Sequence, residues 1–250
     1  MDFCQGSIVY RYVVKSYIDF SKKILTSCHL FVYTTNRLDR RNKIQLYCSY
    51  IIVTSNRKKT DNLKKYLTLI LIIGLAPIIG GLYGILHDQL TYTISPEYYT
   101  KFKFYQFGLM DLGNEAIFPN PRIEVSAVGF MATWWMGLPI GLILGLVGLV
   151  HKDNKQMFRA TLKAIIVTVI VAFTTGLIGL AYGKLYLANT GVDWWLPDNL
   201  IDTSNFVAVG SMHNFSYLGG LTGLIAGTIY SVRQKRKYEA TNIDDKNGSL

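Results

Sequence analysis

The stretch Ile79-Gly80-Gly81-Leu82-Tyr83-Gly84-Ile85-Leu86 recurs, worn but legible, as Ile178-Gly179-Leu180-Ala181-Tyr182-Gly183-Lys184-Leu185. Each copy stands near the end of a long apolar run. A second pair of runs also matches. Val128-Gly129-Phe130-Met131 leads to Gly137, Gly141 and Gly145, and Val209-Gly210-Ser211-Met212 leads to Gly219, Gly223 and Gly227. The four runs cover 66–87, 125–150, 162–187 and 206–231. Each reaches the length of about 20 residues that a helix needs to cross a bilayer's hydrocarbon core. The pattern predicts an all-α membrane protein, with four transmembrane helices arranged as two tandem, parallel-oriented helical hairpins. Copies in the same orientation are related by a pseudo-two-fold axis along the membrane normal. The first helices of the pairs are offset by 99 residues and the glycine rows by 82, so the first hairpin's outer loop is 17 residues longer.

Composition supports a membrane class. Half of the 250 residues are hydrophobic and 17% are charged, against roughly 25% charged in a soluble domain. Four spanning-length runs are hard to bury inside so short a soluble chain. The net charge of +10 would fit a nucleic-acid partner, but its distribution does not. Residues 1–60 hold 11 Lys/Arg and 3 Asp/Glu, whereas residues 61–250 hold 15 and 13. The expected partner is the lipid bilayer, with no nucleic acid.

The basic residues sort by side. Arg57, Lys58, Lys59, Lys64 and Lys65 precede the first run. Lys152, Lys155, Arg159 and Lys163 lie between the second and third. Arg233, Lys235, Arg236 and Lys237 follow the fourth. The loops 88–124 and 188–205 fall on the other side, and the shorter one carries Asp193, Asp198 and Asp202 with no Lys or Arg. The positive-inside bias then predicts both termini cytoplasmic. Trp134, Trp135, Trp194 and Trp195 fall at the expected outer headgroup level.

Residues 1–60 form a basic extension, read as cytoplasmic. Ile8–Val14 and Ile44–Thr54 have strand-like character without turn chemistry between them. Three readings fit: a small domain, a disordered or surface-lying extension, or a translated stretch ahead of the biological start. The last needs a non-Met start codon, because no Met falls between Met1 and Met110. Cys4, Cys28 and Cys48 all lie here and form no CxxC, so no zinc or redox motif is indicated. Residues 61–237 make the transmembrane domain and 238–250 a polar cytoplasmic tail.

Glycines four apart share a helix face and let backbones approach closely. Gly137, Gly141 and Gly145 form one such row, and Gly219, Gly223 and Gly227 another. Gly80 with Gly84, and Gly179 with Gly183, form shorter versions. Pro77 and Pro139 fall inside the first two runs.

Ionisable groups inside a span are costly and mark candidate sites. His87-Asp88 closes the first run, and His213-Asn214 lies in the fourth with Ser216 and Tyr217 behind it. Glu97 follows in the loop. The candidate polar site is therefore His87, Asp88, Glu97, His213, Asn214 and Tyr217, with His87, Asp88 and His213 as candidate metal ligands. Two imidazoles and a carboxylate suit a divalent metal, a proton relay or a polar substrate. The plainer alternatives are interface markers for His87-Asp88 and an interhelical hydrogen bond for His213. No P-loop, GxSxG or HExxH is present, so the sequence names no cofactor and gives no positive sign of an enzyme.

Tyr83 to Tyr99, which includes His87-Asp88-Gln89 and Ser95-Pro96-Glu97-Tyr98, together with Met212-His213-Asn214-Phe215-Ser216-Tyr217-Leu218-Gly219-Gly220, resembles a family of uncharacterised bacterial four-span integral membrane proteins. The resemblance covers about residues 66–237. It implies the bacterial inner membrane and nothing about reaction or ligand. Three functional readings follow from the residues. The first is a small transporter-like or ligand-binding protein, built as a homo-oligomer, with its polar site near the extracytoplasmic face. The second is a scaffold or assembly subunit whose glycine faces receive partner helices. The third is a membrane-embedded metal-dependent enzyme.

Overall fold

The computed structural model describes residues 37–109 and 119–247. The chain divides into two compact units, Met1–Thr60 and Asp61–Leu250. In the first unit the described residues, from Arg37 onward, are helical. The strand-like reading of Ile44–Thr54 is therefore corrected. Neither Pro nor Gly stands between Arg37 and Gly74, so no residue interrupts a helix once it has started. Ile8–Val14, Cys4, Cys28 and the alternatives for the extension's first 36 residues lie outside the described residues.

Four long helices carry the fold: α1 (Arg37–Ile94), α2 (Pro121–Gly148), α3 (Asn154–Tyr182) and α4 (Thr203–Asn247). Every regular element among the described residues is helical. Each of the four is long and apolar enough to cross a membrane. Together they make the chain an all-α, multi-pass membrane protein in a lipid environment. The helices outrun the apolar runs, because charged turns continue a helix where nothing breaks it. Thus α1 passes Asp88 to reach Ile94, and α4 continues through much of the polar tail.

Local chemistry sets the helix ends. Ser95 is extended, with φ −141° and ψ 90°, as a residue before proline tends to be. That ends α1. Asn120 is likewise turned out of the helical region before Pro121 opens α2, at a position where a missing N–H costs little. The Asp153 carboxylate accepts from the amides of Lys155 and Gln156 at 2.7 and 3.0 Å, starting α3. Asp202 accepts from the Asn205 amide at 2.9 Å, starting α4. Each carboxylate also meets the positive end of a helix dipole.

The surface and the interior exchange their usual roles. Leu71, Leu86, Ile170, Leu185, Leu221 and Ile225 are exposed, while Ala76, Ala132, Ala164 and Ala172 are buried. Large aliphatic side chains against lipid tails leave small residues to set the helix–helix spacing. Gly84 faces Gly129 across α1 and α2, and Gly137 lies on Ala76 and Pro77. Gly183, just past the end of α3, meets Ala208 and Ser211 of α4, and Gly219 of α4 meets Ala172 and Thr175 of α3. The two helix pairs touch at related positions. Gly80 against Thr133 and Gly84 against Gly129 become, under the 99- and 82-residue offsets, Gly179 against Phe215 and Gly183 against Ser211. Both contacts are present. A hydroxyl supports each: Thr133 donates to the Gly80 carbonyl at 2.8 Å, and Ser211 to the Gly179 carbonyl at 2.8 Å.

Candidate functional site

One face of α1 carries Ala76, Gly80, Tyr83 and His87 at steps of three or four, and one face of α4 carries His213, Ser216, Tyr217 and Gly220. Steps of three and four stack side chains on one side of a helix. With α2 and α3 these faces line a partly open cavity of about 80 Å³. His87, Asp88, His213, Ser216 and Tyr217 line its polar end, and residues such as Ile79, Ile140 and Val169 line the remainder.

At the polar end three groups converge. His87, Asp88 and His213 are 4%, 1% and 6% exposed. Asp88 Oδ1 lies 3.2 Å from His87 Nδ1 and 3.2 Å from His213 Nε2. The two rings meet edge to face at 4.7 Å. Their outer nitrogens are tied as well. His213 Nδ1 lies 2.9 Å from the Val209 carbonyl, and His87 Nε2 lies 3.0 Å from Ser216 Oγ. Among the described residues, Asp88 Oδ2 is buried with no hydrogen-bond partner. An unpaired carboxylate at such burial costs several kcal/mol, so the imidazoles and the carboxylate require each other.

The chain after α1 folds over this cluster. Pro96–Tyr98 is a helical turn, Tyr99–Lys103 a wider turn in which the Phe104 amide bonds back to the Tyr99 carbonyl, and Phe104–Gln106 a final turn. Tyr98 stacks on His213 at 5.0 Å. The Tyr99 hydroxyl shares a 2.6 Å hydrogen bond with Thr91, which itself donates to the His87 and Asp88 carbonyls. Tyr98, Tyr99 and Phe104 join Val125, Val128, Phe206 and Val209 in one apolar cluster. Burial raises the Tyr98 and Tyr99 hydroxyls above their ordinary pKa range, and Asp88's charge adds to it. Both therefore stay neutral at physiological pH. Lys103 is buried here too, with its ammonium 5.4 Å from the Phe107 ring centre. Burial lowers its pKa, while the charge of Asp88 acts in the opposite sense.

The structure brings His87, Asp88 and His213 together and places Tyr217 beside them on the cavity wall. It does not bring in Glu97 or Asn214. Glu97 accepts from the Ile201 and Asp202 amides at 2.9 and 2.8 Å and from Lys101 at 2.6 Å. It clasps the cap to the start of α4. Partial burial would raise its pKa, but the Ile201 amide, Lys101 and the Asp202 amide outweigh that and hold it below the ordinary range. Asn214 is exposed, because one residue's step turns about 100° around the helix and away from the face of His213. The interface-marker reading of His87-Asp88 is corrected by their burial. The helix does not end there but continues to Ile94.

Sequence reasoning passed over Thr91, Tyr98, Tyr99 and Lys103. Thr91 was findable, since it lies four residues beyond His87 on the same face. The cap residues gave no periodic signal. His151 was also missed. It is buried at the opposite end of the bundle, where Nε2 lies 3.2 Å from Ser231 Oγ and the carbonyl accepts from Lys65 at 2.6 Å. Burial and the nearby Lys235 and Lys65 charges lower its pKa, against a smaller opposing effect of Asp153.

Comparison with protein-family models, curated proteins and solved structures finds no match. What the site can do follows from its own groups. It offers a carboxylate, two imidazoles and a small cavity, all within an apolar bundle.

Proposed function

We propose that this is a small ligand-binding, transporter-like membrane protein whose polar site is His87, Asp88 and His213. The observation that carries the reading is the convergence of two imidazoles on one buried carboxylate oxygen, from helices 125 residues apart in sequence, at the head of a cavity between all four helices. Buried ionisable groups are expensive in a bilayer and are retained where they handle a ligand, an ion or a proton. The positive-inside bias assigns cytoplasmic termini and an extracytoplasmic level to the site. The sequence resemblance supports a bacterial inner membrane.

The scaffold reading loses its main support. It needs glycine rows on the outer surface, whereas Gly137, Gly141 and Gly145 pack on α1 and Gly219, Gly223 and Gly227 on α3. A cavity of about 80 Å³ holds roughly three waters and is too small for a standing pathway. Transport would then require helix movement or a further copy of the chain, which favours a homo-oligomer.

The test compares uptake of metabolites and ions in deletion and wild-type cells, with His213→Ala as control. The expected result is a difference for one solute class that His213→Ala abolishes at normal protein abundance. Uptake indistinguishable between deletion and wild type, or a fully active His213→Ala, overturns the reading.

A further inference from the structure

The hydrogen-bond geometry at Asp88 requires a proton or a metal cation between the rings and the carboxylate. A backbone carbonyl can only accept, so the Val209 oxygen, 2.9 Å from His213 Nδ1, identifies that nitrogen as the N–H donor. In a neutral imidazole the other nitrogen, Nε2, then carries a lone pair. That lone pair faces Asp88 Oδ1 at 3.2 Å, and a carboxylate oxygen is an acceptor as well. Two acceptors face one another, so a proton or a metal cation has to lie between them.

We infer that the cation is a divalent first-row metal of the zinc class, bound by His87 Nδ1, His213 Nε2 and the Asp88 carboxylate. Three observations converge on this. The three ligand atoms lie within 4.8 Å of one another. The two nitrogen–oxygen separations of 3.2 Å are close to the edge of about 3.4 Å in a tetrahedron with metal–ligand bonds near 2.1 Å. They are longer than the ~2.8 Å of a charge-assisted hydrogen bond. Both rings also have their far nitrogens fixed, by the Val209 carbonyl and by Ser216 Oγ. Such outer partners set the tautomer and orientation of metal-binding histidines. Ser216 suits the role because its hydroxyl can accept from the His87 Nε2–H once Nδ1 carries the metal. Asp88 Oδ2, buried with no partner among the described residues, is a spare donor for the same ion. The two ring nitrogens close by at most about 1.4 Å to complete the tetrahedral edge, a movement that ring rotation provides. Two histidines and one carboxylate leave a fourth position open, and the adjoining cavity supplies space for water or a ligand there.

The metal rests on the ligand-site reading and makes it specific. Full-length protein in detergent or nanodiscs is stripped with chelator and titrated with Co²⁺, whose visible d–d bands report a site of low coordination. The expected result is a band that saturates at one equivalent, is bleached by Zn²⁺, persists in Gly74→Ala, and is lost in Asp88→Asn and His213→Gln. Ser216→Ala, which removes only an outer partner, is expected to weaken binding by ~10–100-fold. If the ligand variants fail to fold, Ser216→Ala decides. Unchanged affinity there overturns the assignment. So does a wild type without the band, as expected if a proton is the cation. A band undiminished in both ligand variants, or thiolate charge-transfer absorption placing the metal on the cysteines, also overturns it. Absent cobalt binding with a persisting His213→Ala uptake defect removes the metal alone. Loss of both removes the ligand site too.

Discussion

Gly84 and Gly74 sit ten residues apart on α1 and have opposite constraints. A Cβ on Gly84 would strike the Gly129 carbonyl and the Thr133 hydroxyl, and both helices would have to part. A Cβ on Gly74 would meet nothing within 4 Å. Gly84→Ala is therefore expected to cost about 1–3 kcal/mol by overpacking. Gly74→Ala is expected to be neutral or to stabilise by up to about 1 kcal/mol, through helix propensity. Thermal unfolding of the two variants in the same detergent checks the pair, and equal midpoints would contradict the packing described. The same contrast separates the two members of the His213-Asn214 pair. Adjacent in sequence, one lies in the cavity wall and the other faces outward.

At the scale of elements, the cap over residues 96–106 depends on one carboxylate. Glu97 holds two amides at the start of α4 together with Lys101. Hydrogen bonds to a charged group contribute about 1.5–3 kcal/mol each when buried, and partial exposure lowers that here. Because the folded-state pKa of Glu97 lies below its usual 4.5, its contribution is complete above that value. It is lost as pH falls from there through the depressed folded value. Hydrogen exchange of residues 96–106, taken relative to the intrinsic amide rate at each pH, is expected to quicken over that acid range in wild type. In Glu97→Gln it is expected to be faster already at neutral pH and to lose this pH dependence. A Glu97→Gln cap as protected as wild type would show that the clasp does not hold it. The wide turn at Tyr99–Lys103 explains why this element gave no periodic signal. Its residue spacing differs from that of an α-helix, so Tyr98, Tyr99, Lys103 and Phe104 are buried without a 3.6-residue pattern.

For the whole molecule, the proposed topology places the 149–153 turn on the cytoplasmic side. In a chain with Cys4, Cys28 and Cys48 replaced by Ser, Lys155→Cys is expected to resist a membrane-impermeant thiol reagent in intact cells, and Met110→Cys to react. Labelling of position 155 from outside would invert the orientation and move the site to the cytoplasmic level. The sequence by itself determined the four helices, because spanning runs and the glycine spacing are local properties of the chain. It also marked His87, Asp88 and His213, since an ionisable group within an apolar run is visible without coordinates. Tertiary structure alone decided which groups meet. A pairing 125 residues apart depends on how α1 and α4 turn their faces toward each other. The rotation of each helix is set by glycine contacts between neighbours rather than by its own composition. Glu97 left the site and Ser216 joined it for that reason: packing, not proximity in sequence, assigns a side chain to a cavity.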